Sequence, residues 1–216
     1  MKKLLLLLLI TTHIFANIGN IMALKGEVKI KHANIEKIAT SGMEIIEGDT
    51  IVTSTKSRAQ VVLKDNTIVT IGSNSSFQFD KYFFDGTKKS LVKMRANRGF
   101  FRSVTGKIGK IAPERFTVET SSATIGIRGT DFSVEMKERM ERFMCHRGKI
   151  SIRIGGRLIE LVAGEMFELN PKTLEEIFKG HFNPQETAVQ DMTELDRSGD
   201  MVEAPPVCDP YYGSCI

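Results

Sequence analysis

The chain has 216 residues, of which 41% are hydrophobic and 26% charged, with a formal net charge of +4 and no tryptophan. That length buries a sizeable core in one domain with extensions. The apolar and charged fractions are those of a globular protein and exclude a disordered chain.

The first residues are basic (Met1-Lys2-Lys3), an apolar run follows over 4–10, and it continues loosely to Ala16. This pattern predicts a secretory signal peptide over 1–16, cleaved after Ala16. The run is too short for a comfortable membrane span, and no cysteine follows the cleavage point to take a lipid anchor. The mature protein is therefore expected in the periplasm, soluble and not membrane-spanning.

From residue 17 to about 169 apolar side chains alternate with polar ones, the period of half-buried strands. Val28 and Ile30 alternate, and Ala59, Val61 and Leu63 do the same before a turn at Asp65-Asn66. Val69 and Ile71 resume the pattern, with Phe77 and Phe79 in phase. Phe116 and Val118 follow, then Ile150, Ile152 and Ile154, then a hairpin at Gly155-Gly156. The charged stretch 136–143 reads as a solvated hairpin tip. Many short strands predict an all-β fold, a solenoid-like or sandwich-like stack. Lys25-Gly26, Arg98-Gly99, Arg128-Gly129 and Arg147-Gly148 each place a base and a glycine before a strand. One turn solution reused in this way favours wound, stacked strands.

After Asn170 the pattern changes. Thr173-Leu-Glu-Glu176 has capping-box spacing and predicts a short helix ending by Gly180; Asn183-Pro-Gln-Glu186 predicts a second. Residues 170–216 thus form a helical tail. Cys208 and Cys215 enclose six residues that include Pro210, Gly213 and the pair Tyr211-Tyr212. In an oxidising compartment they are expected to form a disulfide, and the loop to suit a contact surface. Cys145 is left over, and is expected to be buried as a small hydrophobe.

Catalytic chemistry finds little in the sequence. His32, His146 and His181 lack metal-ligand spacing, and Cys145 and His146, adjacent on a strand, point to opposite faces. Asp49 and Asp131 read as turn carboxylates. No enzyme, cofactor or metal site is predicted. Lys88, Lys89, Lys93, Arg95, Arg98, Arg102, Lys107, Lys110 and Arg115 form a basic stripe opposed only by Glu114 over 86–115. Such a stripe can bind an anionic polymer through salt-sensitive contacts, and export argues against nucleic acid. Phe83-Phe84 and Phe100-Phe101 flank it, and one ring of each pair is expected outside the core or under another element.

Residues 120–134 carry the most distinctive motif. Ala123, Ile125 and Ile127 alternate, Gly129 interrupts the run at a turn or bulge, and Phe132 and Val134 resume it. Arg128 and Asp131 flank the glycine, placed to pair across the turn. This Ala-x-Ile-Gly-Ile-Arg-Gly-Thr-Asp-Phe segment resembles the signature of the FecR-type periplasmic domain. Gly26-Glu-Val28, Glu47-Gly-Asp-Thr-Ile-Val-Thr53, Leu63-Lys-Asp-Asn-Thr67, Arg147-Gly-Lys-Ile150 and Leu161-Val-Ala-Gly-Glu165 are similar to further family elements in the same order, over about 19–169. In that resemblance Arg128, Gly129, Thr130, Asp131 and Phe132 are architectural. The family includes membrane-spanning regulators whose periplasmic domain senses an outer-membrane receptor and controls a sigma factor. The sequence 1–216 is expected to carry neither the anti-sigma segment nor the transmembrane helix of that plan. The resemblance therefore implies a periplasmic module for an envelope protein partner in signalling or assembly. The alternative is a cell-wall or glycan-binding module using residues 88–115.

Overall fold

The computed structural model describes residues 16–182. Within them fifteen strands form one hydrogen-bonded network, as the alternating pattern predicts. In chain order they are β1 (Asn17–Lys25), β2 (Val28–His32), β3 (Ile35–Ile38), β4 (Glu44–Ile46), β5 (Thr50–Thr53), β6 (Arg58–Leu63), β7 (Ile68–Ile71) and β8 (Ser76–Phe83). After β9 (Leu91–Val104) comes a one-turn helix, α1 (Ile108–Ile111). Then follow β10 (Phe116–Glu119), β11 (Thr124–Lys137), β12 (Met140–Ile154), β13 (Arg157–Val162), β14 (Glu165–Leu169) and β15 (Glu176–His181).

Three strands are long, and each changes partners midway. β9 pairs β8 as far as Arg98, then β7 and β11 beyond it. β11 pairs β10 over Thr124–Gly126 and β9 from Asp131 onward. β12 pairs β14 over Glu141–Cys145 and β13 over Lys149–Ile154. At each switch stands a glycine with positive φ: Gly99 at 87°, Gly129 at 59° and Gly148 at 76°. The strand bends there and passes from one layer of a sandwich into the other. The first layer holds β4, β1, β6 and β7, then halves of the three long strands, then β14 and β15; the second holds β3, β2, β5, β8, β10, the other halves and β13. The base-glycine echo in the sequence marks these crossings, for Lys25-Gly26, with Gly26 at φ 72°, also turns β1 into β2.

The two inner faces close on one core. Phe77 of the second layer lies 5.1 Å from Phe101 of the first, Phe79 and Phe132 extend the row at 5.4 and 5.8 Å, and all four are buried. The alternation read from the sequence is the inward set: Val61, Leu63, Val69, Ile71, Ile150 and Ile152 are buried. Asn66, at φ 67°, turns β6 into β7, and Gly155-Gly156 turns β12 into β13. Neighbouring Asp65 closes this end of the sandwich. Its carboxylate accepts from the Thr67 hydroxyl (2.7 Å), the Ile108 amide at the start of α1 (3.3 Å) and the Tyr82 hydroxyl (3.2 Å).

Residues 173–180 are not helical. Thr173 accepts from the amide of Glu175 instead of capping a helix, Leu174 stands at φ 60°, and Glu176–His181 pairs antiparallel with β14 as β15. The open edge of β14 offers a ladder of backbone groups, and Ile177 and Phe178 suit a strand, so tertiary pairing overrides the local capping signal. The sheet thus runs past residue 169 to His181. The signal peptide expected over 1–16 (apart from Ala16), the second expected helix, Cys208, Cys215, Tyr211 and Tyr212 lie outside the described residues.

Candidate interaction surface

The motif at the β11 bend is built as a joint. The Thr105 hydroxyl accepts from the Thr130 amide and donates to its carbonyl, both at 2.9 Å, and the Thr105 amide donates to the same carbonyl. Phe132 is buried edge-on to Phe101. Asp131 accepts from Nε and Nη2 of Arg102, each at 2.8 Å, a forked pair between β11 and β9. Arg128 is not its partner: the bend at Gly129 puts Arg128 opposite Lys149 in one layer and Asp131 opposite Arg147 in the other. Arg128 is exposed. Asp49 holds the turn before β5, its carboxylate accepting from the Ile46 amide and contacting Nδ1 of His32 at 2.8 Å.

Three bases of the stripe, Lys93, Arg95 and Arg102, are paired with carboxylates by the fold. Lys93 lies 2.7 Å from Glu119, Arg95 3.0 Å from Asp80 and 3.2 Å from Glu119, and Arg102 is bound to Asp131. Lys93's hydrogen bond, helped by Arg95, holds the Glu119 carboxyl below its ordinary range against the opposing effect of burial. Arg115 donates to the carbonyl of Ser90 at 3.1 Å. Lys88 and Lys89 are exposed in the loop between β8 and β9, and Arg98 is exposed at the Gly99 bend. The compensating carboxylates come from β8, β10 and β11, distant in sequence from the bases they meet. A count along the chain misses them.

One aromatic pair splits as a strand requires: Phe101 is buried while Phe100 is partly exposed. In the other, at the end of β8, Phe83 is 51% exposed and Phe84 is half-buried, so neither ring enters the core. Cys145 is buried in the core, where burial pushes its thiol up to about 11. His146, on the opposite face, sits 2.8 Å from the hydroxyl of fully buried Ser133, with its ring edge-on to Phe182. Burial, then the Arg102 charge, lowers its imidazole to about 4. The arrangement ties β11 to β12. Large apolar side chains are exposed on the edge strands that end the two layers on one side, Leu158 and Val162 on β13 and Ile177 and Phe178 on β15, and Ile35 and Ile38 are exposed on β3 at the other. Read as a helix, residues 173–180 give no sign of the apolar strand that Ile177 and Phe178 belong to.

Residues 49–151 match the family model described as FecR protein. This span runs from the turn before β5 past the Gly148 bend of β12. Two crystal structures from Parabacteroides distasonis, each assigned as an anti-sigma factor, share the fold. One has a TM-score of 0.52 at 20% identity over 64% of this chain and 62% of that one. The other has a TM-score of 0.53 at 18% identity over 68% of this chain and 73% of that one. At these identities the likeness is one of fold, and the chain spans less than two thirds of the first structure. No curated protein matches the chain.

Proposed function

We propose that this chain, whose residues 49–151 match the FecR family model, is an exported, non-enzymatic interaction module of the periplasm that binds an envelope protein in a signalling or assembly pathway. The FecR match carries the reading, because it spans the bent strands that shape both outer faces. The fold shared with chains assigned as anti-sigma factors favours signalling. The end of the sandwich also suits a protein partner. Among the described residues nothing pairs the outer edges of β13 and β15, beside exposed Leu158, Val162, Ile177 and Phe178, the combination that protein surfaces use for contact. Among the described residues no helix is long and apolar enough to cross a membrane.

The basic composition of 88–115 supports a second reading, attachment to a cell-wall polymer. It is the weaker one, because Lys93, Arg95 and Arg102 are engaged by carboxylates within the fold.

In-cell crosslinking of the full chain followed by mass spectrometry tests the proposal. One dominant envelope protein is expected. Capture of cell-wall material alone, with salt-sensitive sedimentation on sacculi, would replace this reading with the polymer one. Sequencing the exported product is expected to give Asn17 as its first residue.

A further inference from the structure

The outer face of the second layer is not flat. Where β2, β5, β8 and β9 lie side by side it holds a groove of about 450 Å³. The strand register builds it. Lys31, Thr50 and Gln78 form one row across β2, β5 and β8, and Ser76 pairs with Arg98 in the next row. Asn97 completes the lining. With strands about 4.8 Å apart, the row from Lys31 to Gln78 spans about 10 Å, the width of an extended peptide with its side chains.

The charge around the groove is one-sided. Three bases near it are matched: Lys29 by Glu36, Lys93 by Glu119, Arg95 by Asp80 and Glu119. No carboxylate lines the groove. Lys31 is held at the rim by Glu36 at 2.8 Å. Arg98 stands exposed at the other side, with no acidic partner among the described residues. Between them lie hydroxyls and two side-chain amides, each able both to donate and to accept. No aromatic ring lines the groove on which a sugar could stack.

We infer that this groove docks an acidic, extended peptide segment of the partner protein. Arg98 forks a carboxylate, and Gln78 and Asn97 bond the peptide's backbone amides. This rests on the reading of the domain as a protein-interaction module and names the place and chemistry of one contact.

The test is a titration of the full chain with hexaglutamate, followed by NMR of the side-chain amides of Gln78 and Asn97. Both signals are expected to shift to saturation. Arg98→Gln is expected to weaken binding about tenfold, the loss of one forked charge pair, with unchanged melting because Arg98 is exposed. The double variant Lys88→Gln, Lys89→Gln is expected to bind within about twofold of the parent, since those lysines lie off the groove. Three results would overturn the inference: no shift at Gln78 and Asn97, binding indifferent to Arg98→Gln, or saturation by oligogalacturonate where hexaglutamate fails. The last would put a carbohydrate in the groove. Crosslinking to an envelope protein that persists in Arg98→Gln, with no hexaglutamate binding, would sink the groove and leave the interaction module standing.

Discussion

Asp131 and Arg128 sit three positions apart in one motif, yet the fold gives them different work. Asp131 receives both arms of the Arg102 fork, while Arg128 is exposed beyond the bend. Asp131→Asn removes the charge and leaves a partly buried guanidinium short of its acceptor, so it should cost about 1–2 kcal/mol in urea unfolding. Arg128→Ala should stay within about 0.5 kcal/mol. Equal effects would mean that the motif's charge acts across the turn after all. Glu141 makes the opposite case. It is buried, the Ser122 hydroxyl bonds one carboxyl oxygen, and Oε1 has no partner. Burial raises its carboxyl above the ordinary 4.5, against the pull of Ser122. The folded state therefore holds this proton more tightly than the unfolded chain. Its contribution is complete below about pH 4.5 and is lost as pH rises through the folded value. Glu141→Gln cannot ionise and should gain stability over the parent between acid and neutral pH, with little difference at pH 4. A parallel pair of stability–pH curves would show that Glu141 is charged without penalty.

At the scale of the element, what sets this fold apart is a strand that serves two layers. The bend at Gly148 is tight against backbone: a Cβ there would lie 2.2 Å from the Gly129 carbonyl oxygen, at φ 76°. At Gly129, φ 59°, a Cβ meets nothing within 4 Å. Gly129→Ala should therefore cost only left-handed strain, about 1–2 kcal/mol. Gly148→Ala also forces apart two paired backbones and should cost at least about 3 kcal/mol, or prevent folding. Chemical unfolding of the two variants side by side checks the order, and a larger loss at Gly129 would refute the geometry. The repeated base-glycine pairs are visible in the sequence, and so are the alternating strands, the Asn66 turn and the Gly155-Gly156 hairpin. Their joint meaning is not. Alternation says which side chains face inward but is silent on which layer a strand occupies, because both layers share one core. The ion pairs are hidden for a related reason: Arg102 and Asp131 are 29 residues apart, and Lys93 meets Glu119 only when β10 lies parallel to β9. For β15 the local signal pointed the wrong way, since a capping box says nothing about the open edge waiting on β14.

For the whole molecule, the stretch recognised by family and the stretch that can fold are different lengths. The FecR match ends at residues 49 and 151, but the sheet does not. β1 lies between β6 and β4 and contributes buried Ile18 and Ile21. β14 covers the first half of β12, bringing Phe167 against Phe143 at a ring distance of 6.3 Å and adding buried Leu169. Cutting at 49 and 151 would strip the first layer on both flanks, expose Val61, Leu63 and Phe143, and sever β12 before Ile152 and Ile154 reach the core. Each fully buried large apolar side chain is worth roughly 1.5–3 kcal/mol, so losing several exceeds the roughly 5–15 kcal/mol by which a domain is stable. The fragment 49–151 should therefore show no cooperative melt and should aggregate through its opened strand edges. The fragment 16–182 should melt in one transition by both circular dichroism and calorimetry. A cooperative melt from 49–151 would make the flanking strands accessories instead of parts of the core, and would move the interaction surface inward from β13 and β15 to the bent strands themselves.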